Sequence, residues 1–358
     1  MFEQGTVFIV GAGGSYELDL PLGETLMDQI SGLLETELNR FRDPVVQKIM
    51  ISIAQGRVKD NWGDSLTRLS ISAKRLVDAL PFAMSIDNLL DAHRHDEDIV
   101  LIGKIGISRA ILEAERNSNL RYFISPSAPG GLPDRITNAS SRFKNSWYPA
   151  LMRLLNAGLP LADLGRMFEN VSFITFNYDR CLEHFLINGI IRYYGVDLAT
   201  AVETMRNLRI VHIYGAVGSL PWMGRPNPTH FGDVETPNLL AIAQEIQTFT
   251  ESANSGLVQQ AHDMIKGART LVFMGFGFLP QNVNLLGVEG TAVSRVFMTT
   301  CGISDSDVPI VESEMSDLLG KKLEQNPFIM DANSYSLFNE RGTCSDLMKN
   351  HWLRMTRQ

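Results

Sequence analysis

Short apolar runs, each ended by glycine or by polar residues, recur along this chain and alternate with amphipathic stretches. The first run covers residues 7–10 and ends at Gly11. Further runs follow over residues 171–176, 208–214, 270–274 and 294–300. Runs of this length predict buried strands, whereas apolar positions three and four residues apart predict helices. The alternation predicts an α/β fold with a Rossmann-like, doubly wound and mostly parallel sheet.

The first two predicted strands are separated by a long stretch of helical patterns. We predict a helix over residues 24–56 with a break near Pro44, and a second helical region over residues 65–117. The second region is interrupted at Pro81 and at residues 93–98. Residues 125–145 are rich in Pro, Gly and Ser and predict a long loop, which is a feature typical of lids or binding loops. Helical periodicity returns over residues 147–168.

These patterns divide the chain into three parts. Residues 1–30 and 165–305 form the predicted Rossmann-like core, and residues 31–164 form a helical insertion into it. Within the core, one long helix is expected over about residues 238–266. Residues 306–358 read as a helical C-terminal region.

Composition and charge exclude several classes of protein. The net charge is −8, and no cluster of Lys and Arg with interleaved aromatic residues occurs, so direct nucleic-acid binding is not expected. No apolar run approaches the roughly 18 residues of a membrane span, and no leader is evident. We therefore expect a cytoplasmic protein that does not contact membranes. The three cysteines form no C-x-x-C pair, which argues against a zinc site and a disulfide framework.

The chemistry-bearing residues follow the predicted strands. The first strand leads into Gly11-Ala12-Gly13-Gly14-Ser15, a turn that could hold a phosphate, although the third glycine of the dinucleotide fingerprint is replaced by Tyr16. Asn177 and Asp179 follow the second strand, and His212 and Tyr214 lie on the third. Because residues two apart on a strand point to the same side, we expect His212 and Tyr214 to share one face.

In sequence order, these motifs resemble a known family. GAGxS at residues 11–15, TFNYD at 175–179, a histidine near the glycine that ends a strand, and VFMGFG at 272–277 resemble sirtuin-like domains. The chain is most similar to the sirtuin-like NAD⁺ hydrolases of bacterial antiphage defence that assemble with a HerA-type ATPase. The resemblance implies a Rossmann-like sheet that binds NAD⁺ as substrate and breaks its nicotinamide–ribose bond. It also implies a homo-oligomer and a HerA-type ATPase partner, and no metal is expected.

The resemblance assigns roles to individual residues. Asn177 would hold the ribose or an attacking water, with Asp179 in support, and His212 would accept a proton. In protein-deacylating sirtuins the catalytic histidine immediately precedes the glycine, where this chain has Tyr214. Those proteins also carry a four-cysteine zinc site that is missing here, which favours hydrolysis over deacylation. The residues expected to line the NAD⁺ pocket are Gly11, Ala12, Gly13, Ser15, Tyr214, Gly215, Gly275, Gly277 and Asn282.

Each of these interpretations has a structural alternative. Asn177 and Asp179 could cap the following helix, and His212 could be a core histidine that is hydrogen-bonded to a carbonyl. The Tyr214 ring is expected to pack, and the acidic and histidine residues at 91–98 read as solvated surface. At the level of function, a nucleotide-sensing subunit and a nuclease component of a DNA-translocating complex remain open alternatives to the hydrolase.

Overall fold

A computed structural model of the chain describes residues 1–57, 61–125, 133–226, 228–288, 290–324 and 333–357, and the side chains of residues 133–136 are outside that description. The strands are β1 Thr6–Val10, β2 Thr36–Glu37, β3 Arg40–Phe41, β4 Val171–Thr175, β5 Arg209–His212, β6 Thr270–Met274, β7 Arg295–Thr299, β8 Lys322–Leu323 and β9 Ser334–Glu340. The helices are α1 Ala12–Tyr16, α2 Gly23–Leu34, α3 Pro44–Gly56, α4 Trp62–Ala79, α5 Ile86–Ala92, α6 Glu97–Asn117, α7 Asn119–Ile124, α8 Pro133–Asn145, α9 Trp147–Asn156, α10 Cys181–Tyr194, α11 Leu198–Met205, α12 Leu239–Glu245, α13 Phe249–Ala253, α14 Gly256–Lys266, α15 Pro280–Leu286, α16 Val308–Leu319 and α17 Cys344–Thr356. Short 3₁₀ turns cover Leu80–Phe82, Leu161–Arg166 and Pro221–Met223.

A seven-stranded sheet in the order β5-β4-β1-β6-β7-β9-β8 forms the centre of the molecule, and all of its neighbouring strands are parallel. The first six strands follow the order 3-2-1-4-5-6 of the doubly wound dinucleotide-binding fold. This confirms the α/β, Rossmann-like sheet predicted from the sequence. Strand β1 lies inside the sheet between β4 and β6, with Val10 opposite Thr175 of β4 and Met274 of β6.

The sheet is buried on both faces because alternate residues of each strand enter different hydrophobic clusters. Val7 and Ile9 of β1 pack with helices α2 to α6, whereas Phe8 and Val10 pack with α9, α10 and α17. All five residues of β1 are buried. Burial on both faces is the reason that this strand reads as a continuous apolar run.

The insertion is helical, as the sequence predicts, and its breaks lie where capping residues occur. Asp43 accepts hydrogen bonds from the N–H groups of Val45 and Val46 and so starts α3. Asp96 does the same for α6 through Ile99 N–H. Helix α6 crosses the middle of the insertion and is buried along most of its length. Among the described residues, no helix has both the length and the apolar character that crossing a bilayer requires.

The prediction of a loop over residues 125–145 is wrong for residues 133–145, because Pro133–Asn145 form α8. Two apolar residues four positions apart, Ala139 and Phe143, are buried in an otherwise polar sequence. The Phe143 ring stacks on Phe123 of α7 with centroids 4.0 Å apart. So few apolar positions give a weak periodic signal. Residues 126–132 of the predicted loop lie outside the described residues.

Two further elements differ from the sequence reading. The long helix expected over residues 238–266 is three helices, because Thr248 and Ser255 cap α13 and α14 and interrupt it. The C-terminal region has the expected helices, α16 and α17, and also two strands that the sequence reading did not assign. Strand β9 extends the sheet by pairing with β7, with Phe338 opposite Phe297.

Candidate functional site

The glycine turn after β1 packs directly against the loop after β6. Gly11 N–H donates to Met274 O and Gly13 N–H donates to Gly275 O, each at 3.0 Å. A Cβ atom on Gly13 would lie 2.7 Å from the Cα of Gly275, and one on Gly275 would lie 2.2 Å from Gly13 C. Gly275 also has a φ of +59°, which favours glycine. These glycines therefore allow two backbones to touch, and two of the N–H groups expected to face a phosphate are bonded within the protein.

Asn177 joins the second predicted motif to the first. Its side chain is buried, and its Nδ2 atom donates to Gly11 O and to Ser15 Oγ, both at 3.0 Å. The Asn177 N–H donates to Thr175 Oγ1 at 3.0 Å, which fixes the chain as it leaves β4. The structure thus brings together residues more than 160 positions apart in sequence, at the carboxyl edge where such folds bind ligands.

Asp179 is also buried, but it serves the backbone of the following helix. Its Oδ1 atom accepts a hydrogen bond from Cys181 N–H at 3.0 Å, at the start of α10. Burial raises the pKa of Asp179, and hydrogen bonds, including one with Ser15, act against that rise. Asp179 therefore satisfies the first N–H of α10 from the position before its N-cap residue, Arg180, whereas Asn177 bridges to the glycine turn.

Both ring nitrogens of His212 are bonded within the protein. Nδ1 lies 3.0 Å from Asn177 O, and Nε2 lies 2.8 Å from Oε1 of Glu183. Burial opposes the charge on His212, but the Glu183 carboxylate outweighs it and raises the histidine pKa. Burial likewise acts to raise the pKa of Glu183, and His212 brings it below its ordinary value. His212 and Glu183 form a buried ion pair, which leaves neither ring nitrogen for a ribose hydroxyl or a water.

Tyr214 does not share a face with His212, contrary to the expectation from strand geometry. Strand β5 ends at His212, and Gly215 N–H donates back to His212 O at 3.2 Å in a tight turn. Tyr214 is buried, and its hydroxyl donates to Oδ1 of Asn282 at 2.7 Å. Tyr214 and Asn282, which were both predicted to line the NAD⁺ pocket, are therefore in direct contact. Gly215 is required here because its φ is +77° and a Cβ would lie 2.3 Å from Glu245 O.

Five buried aromatic rings fill the space above the carboxyl ends of β4, β5 and β6. The Phe176 ring packs on those of Phe276 and Tyr214 with centroids 5.1 and 5.8 Å apart. Phe278 has a φ of +50°, a strained conformation for a bulky side chain. Gly277 beside it is exposed, and a Cβ there would meet no atom within 4 Å. We call this group the aromatic cluster: Phe176, Tyr178, Tyr214, Phe276 and Phe278.

The sequence reading missed Asp87, which helix α5 of the insertion brings to the same edge. The Tyr178 hydroxyl donates to Oδ1 of Asp87. Burial raises the pKa of Asp87 to about 6, although its side chain retains partial exposure. In the sequence, Asp87 follows Ser85, the N-cap residue of α5, and looks like an ordinary acidic residue of a first helical turn.

A buried ion pair joins the insertion to the same edge and was also missed. Arg180 and Glu115 are both fully buried. Glu115 accepts hydrogen bonds from Arg180 N–H, Nε and Nη2 at 2.9, 3.0 and 2.5 Å, and from Gly232 N–H at 2.9 Å. The guanidinium also donates to the carbonyls of Thr229 and His230. Nothing in the spacing of Glu115 and Arg180 signals this contact.

In the polar segment at residues 91–98, His95 and Glu97 are exposed, as the prediction of a solvated surface requires, whereas Asp91 is hydrogen-bonded within the protein. Asp91 accepts hydrogen bonds from the N–H and hydroxyl of Thr250 at 3.0 and 2.5 Å. Across the described parts of the chain, no group of three or more His, Cys, Asp or Glu residues has an arrangement that could hold a metal ion.

No protein-family model matches this sequence, and no curated protein matches it. The candidate site therefore rests on its own geometry and on the motif resemblance described above.

Proposed function

We propose that this chain is an NAD⁺ hydrolase that cleaves the nicotinamide–ribose bond and acts in antiphage defence by depleting NAD⁺. The observation that supports this proposal most is the contact of the Asn177 amide with Gly11 O and Ser15 Oγ. This contact joins the motifs at residues 11–15 and 175–179 at the carboxyl ends of β1 and β4. The sheet that contains these strands has the strand order of dinucleotide-binding folds.

In the proposed reaction, the bond between C1′ of the ribose and the pyridinium nitrogen breaks, and its electron pair neutralises the departing nicotinamide. Positive charge develops on the ribose, and water attacks C1′. The Asn177 amide, fixed by its bonds to the glycine turn, orients the ribose or this water. The aromatic cluster excludes bulk water, which strengthens such fixed dipoles.

NAD⁺ has to displace groups that occupy this edge. Gly13 N–H is bonded to Gly275 O, and Phe276 packs beside it. The proposal therefore requires the loop of residues 275–279 to move away from the glycine turn when the dinucleotide binds. Regulation through a homo-oligomer and a HerA-type ATPase, as the resemblance implies, would act on such a movement.

The test is nicotinamide release from NAD⁺ by the purified chain, alone and co-expressed with a HerA-type ATPase. Asn177→Ala should abolish release, and the matched variant at exposed Asn145, Asn145→Ala, should retain it. Thermal unfolding of both variants checks that each one folds. No release by the unaltered chain in either state would overturn the proposal.

One observation favours a second candidate, a subunit that binds NAD⁺ without cleaving it. The engagement of both His212 nitrogens removes the proton acceptor that the resemblance implies. Measurable NAD⁺ binding without nicotinamide release, with the affinity lowered by Asn177→Ala, would identify this sensor.

A further inference from the structure

We propose that Asp87, carried by helix α5 of the insertion, is the proton acceptor of this site and that Tyr178 positions its carboxylate. This inference rests on the proposed NAD⁺ hydrolysis and names a catalytic residue that neither the motifs nor the resemblance provide.

Position is the first argument for Asp87. Tyr178, which donates to Asp87, directly follows Asn177 at the end of β4. The neighbouring ring of Tyr214, at the end of β5, has its centroid 6.3 Å from that of Tyr178. Asp87 therefore lies where the carboxyl ends of two adjacent strands meet the insertion.

The helix that carries Asp87 is held by the Tyr178 contact in its first turn and by a second contact at its C-terminal end. At its C-terminal end, Asp91 accepts two hydrogen bonds from Thr250. The segment around Thr250 is itself fixed on the end of β5, since Gln247 N–H donates to Tyr214 O at 3.0 Å and Ser252 Oγ donates to Ile213 O at 2.9 Å. A carboxylate held in this way meets the requirement for a positioned base.

Three other ionisable side chains that the structure describes at this edge, His212, Glu183 and Asp179, already have partners within the protein. His212 and Glu183 neutralise each other in a buried pair. Asp179 accepts from the backbone at the start of α10. Asp87 instead bonds to a neutral phenol, and because a carboxylate can accept up to about four hydrogen bonds, it retains capacity for a water.

The acid–base character of Asp87 suits the role. Burial raises its pKa to about 6, close to the pH at which a general base works best. The groups that face it across the site are the hydroxyls of Tyr178 and Tyr214, with Asp91 on the same helix. Burial raises the pKa of both tyrosines far above neutrality, so both stay protonated and act as donors.

In the proposed step, the bond broken at C1′ is replaced by one new bond, and the proton released has an acceptor. The C1′–N bond breaks and its electrons pass to nicotinamide, the oxygen of a water forms a bond to C1′, and the proton lost by that water moves to the Asp87 carboxylate. Asp87 then releases this proton to solvent. The products are nicotinamide, ADP-ribose and one proton.

The experiment compares Asp87→Asn, Tyr178→Phe and, as a matched exposed control on α4, Asp78→Asn. We expect Asp87→Asn to lower kcat by about 10²–10⁴-fold with little change in KM. The pH profile of kcat/KM should rise through an inflection near pH 6 in the unaltered chain, and this inflection should disappear in Asp87→Asn. Tyr178→Phe should retain the inflection but move it to higher pH, because the Asp87 carboxylate loses the hydrogen bond that lowers its pKa. Asp78→Asn should match the unaltered chain.

A second variant keeps the test decisive if Asp87→Asn folds poorly. Asp87→Ala should recover turnover in added formate, which supplies a carboxylate in the vacated space. Three results would each overturn the assignment of Asp87 while the hydrolase proposal stands. The first is full turnover of Asp87→Asn with an unchanged inflection, and the second is a turnover of Asp87→Asn above that of the unaltered chain. The third is that added formate does not restore turnover to Asp87→Ala. Absence of nicotinamide release from the unaltered chain would overturn both proposals.

Discussion

The buried Arg180–Glu115 pair gives the most direct test of how the insertion is held on the core. Replacing Glu115 with alanine leaves the guanidinium of Arg180 buried with its charge uncompensated, and it also removes the acceptor of Gly232 N–H. Breaking a buried pair in this way costs about 3–5 kcal/mol.

This cost converts into a shift of melting temperature. For a cooperative unit of 358 residues, the entropy of unfolding is about 0.75 kcal/mol/K, so Glu115→Ala should lower Tm by roughly 4–7 °C. Glu203→Ala is the matched control, because Glu203 pairs with Arg206 on the exposed surface, and it should change Tm by less than about 1 °C.

Differential scanning calorimetry at neutral pH measures both shifts. The double variant Glu115→Leu with Arg180→Met removes both charges together and should recover at least half of the lost stability. A Tm for Glu115→Ala within 1 °C of the unaltered chain would refute the argument, because it would mean that the Arg180 charge is stabilised without its partner.

Two further predictions follow from the site. Gly275→Ala should give little folded protein, because its Cβ would lie 2.2 Å from the backbone of Gly13. Gly277→Ala should fold normally, because a Cβ at that position would meet open space. Soluble yield and Tm distinguish the two variants, and equal yields would contradict the close packing at Gly275. The His212–Glu183 pair should make stability depend on pH. The raised pKa of His212 adds stability that is present below about pH 6.5 and is lost as the pH rises through the folded-state value, whereas the lowered pKa of Glu183 adds stability above about pH 4.5 that is lost as the pH falls. The Tm difference between the unaltered chain and His212→Gln should therefore be largest at about pH 5–6.5 and smaller at pH 9, and a difference that is constant with pH would show that the pair is not ionised.

Local patterns were sufficient to predict five neighbouring strands of the sheet, from β5 to β7, and the helical insertion. Strands buried on both faces, such as β1, are continuous apolar runs that end in glycine, so their residues alone identify them. Strand β9 was missed because its sequence, SYSLFNE, mixes polar and apolar residues at the margin of the sheet, where burial declines along the strand. Helix α8 was missed because only a few of its residues are buried.

The site was predictable only where its residues follow strands. The positions of Gly11, Ser15 and Asn177 could be related because the carboxyl ends of parallel strands share one edge. Asp87, Glu115 and the pairing of His212 with Glu183 depend on how helices from distant parts of the sequence pack over that edge. Such contacts between side chains leave no periodic signal in the sequence.

The first strand to be synthesised, β1, lies in the interior of the sheet and pairs on both sides with strands made much later. The strands that pair with β1 begin at Val171 and Thr270. The ribosome therefore adds 165 residues after Thr6 before Val171, the first pairing partner of Thr6, has been synthesised. At typical rates of translation this takes on the order of 10–30 s. During that time the apolar segment of β1 is without the neighbours that shield it in the native sheet, whereas the helices of the insertion have already been synthesised. We expect Val7 and Ile9 to rest against the helices of the nascent insertion, as they do in the native fold, until the rest of the sheet emerges from the ribosome.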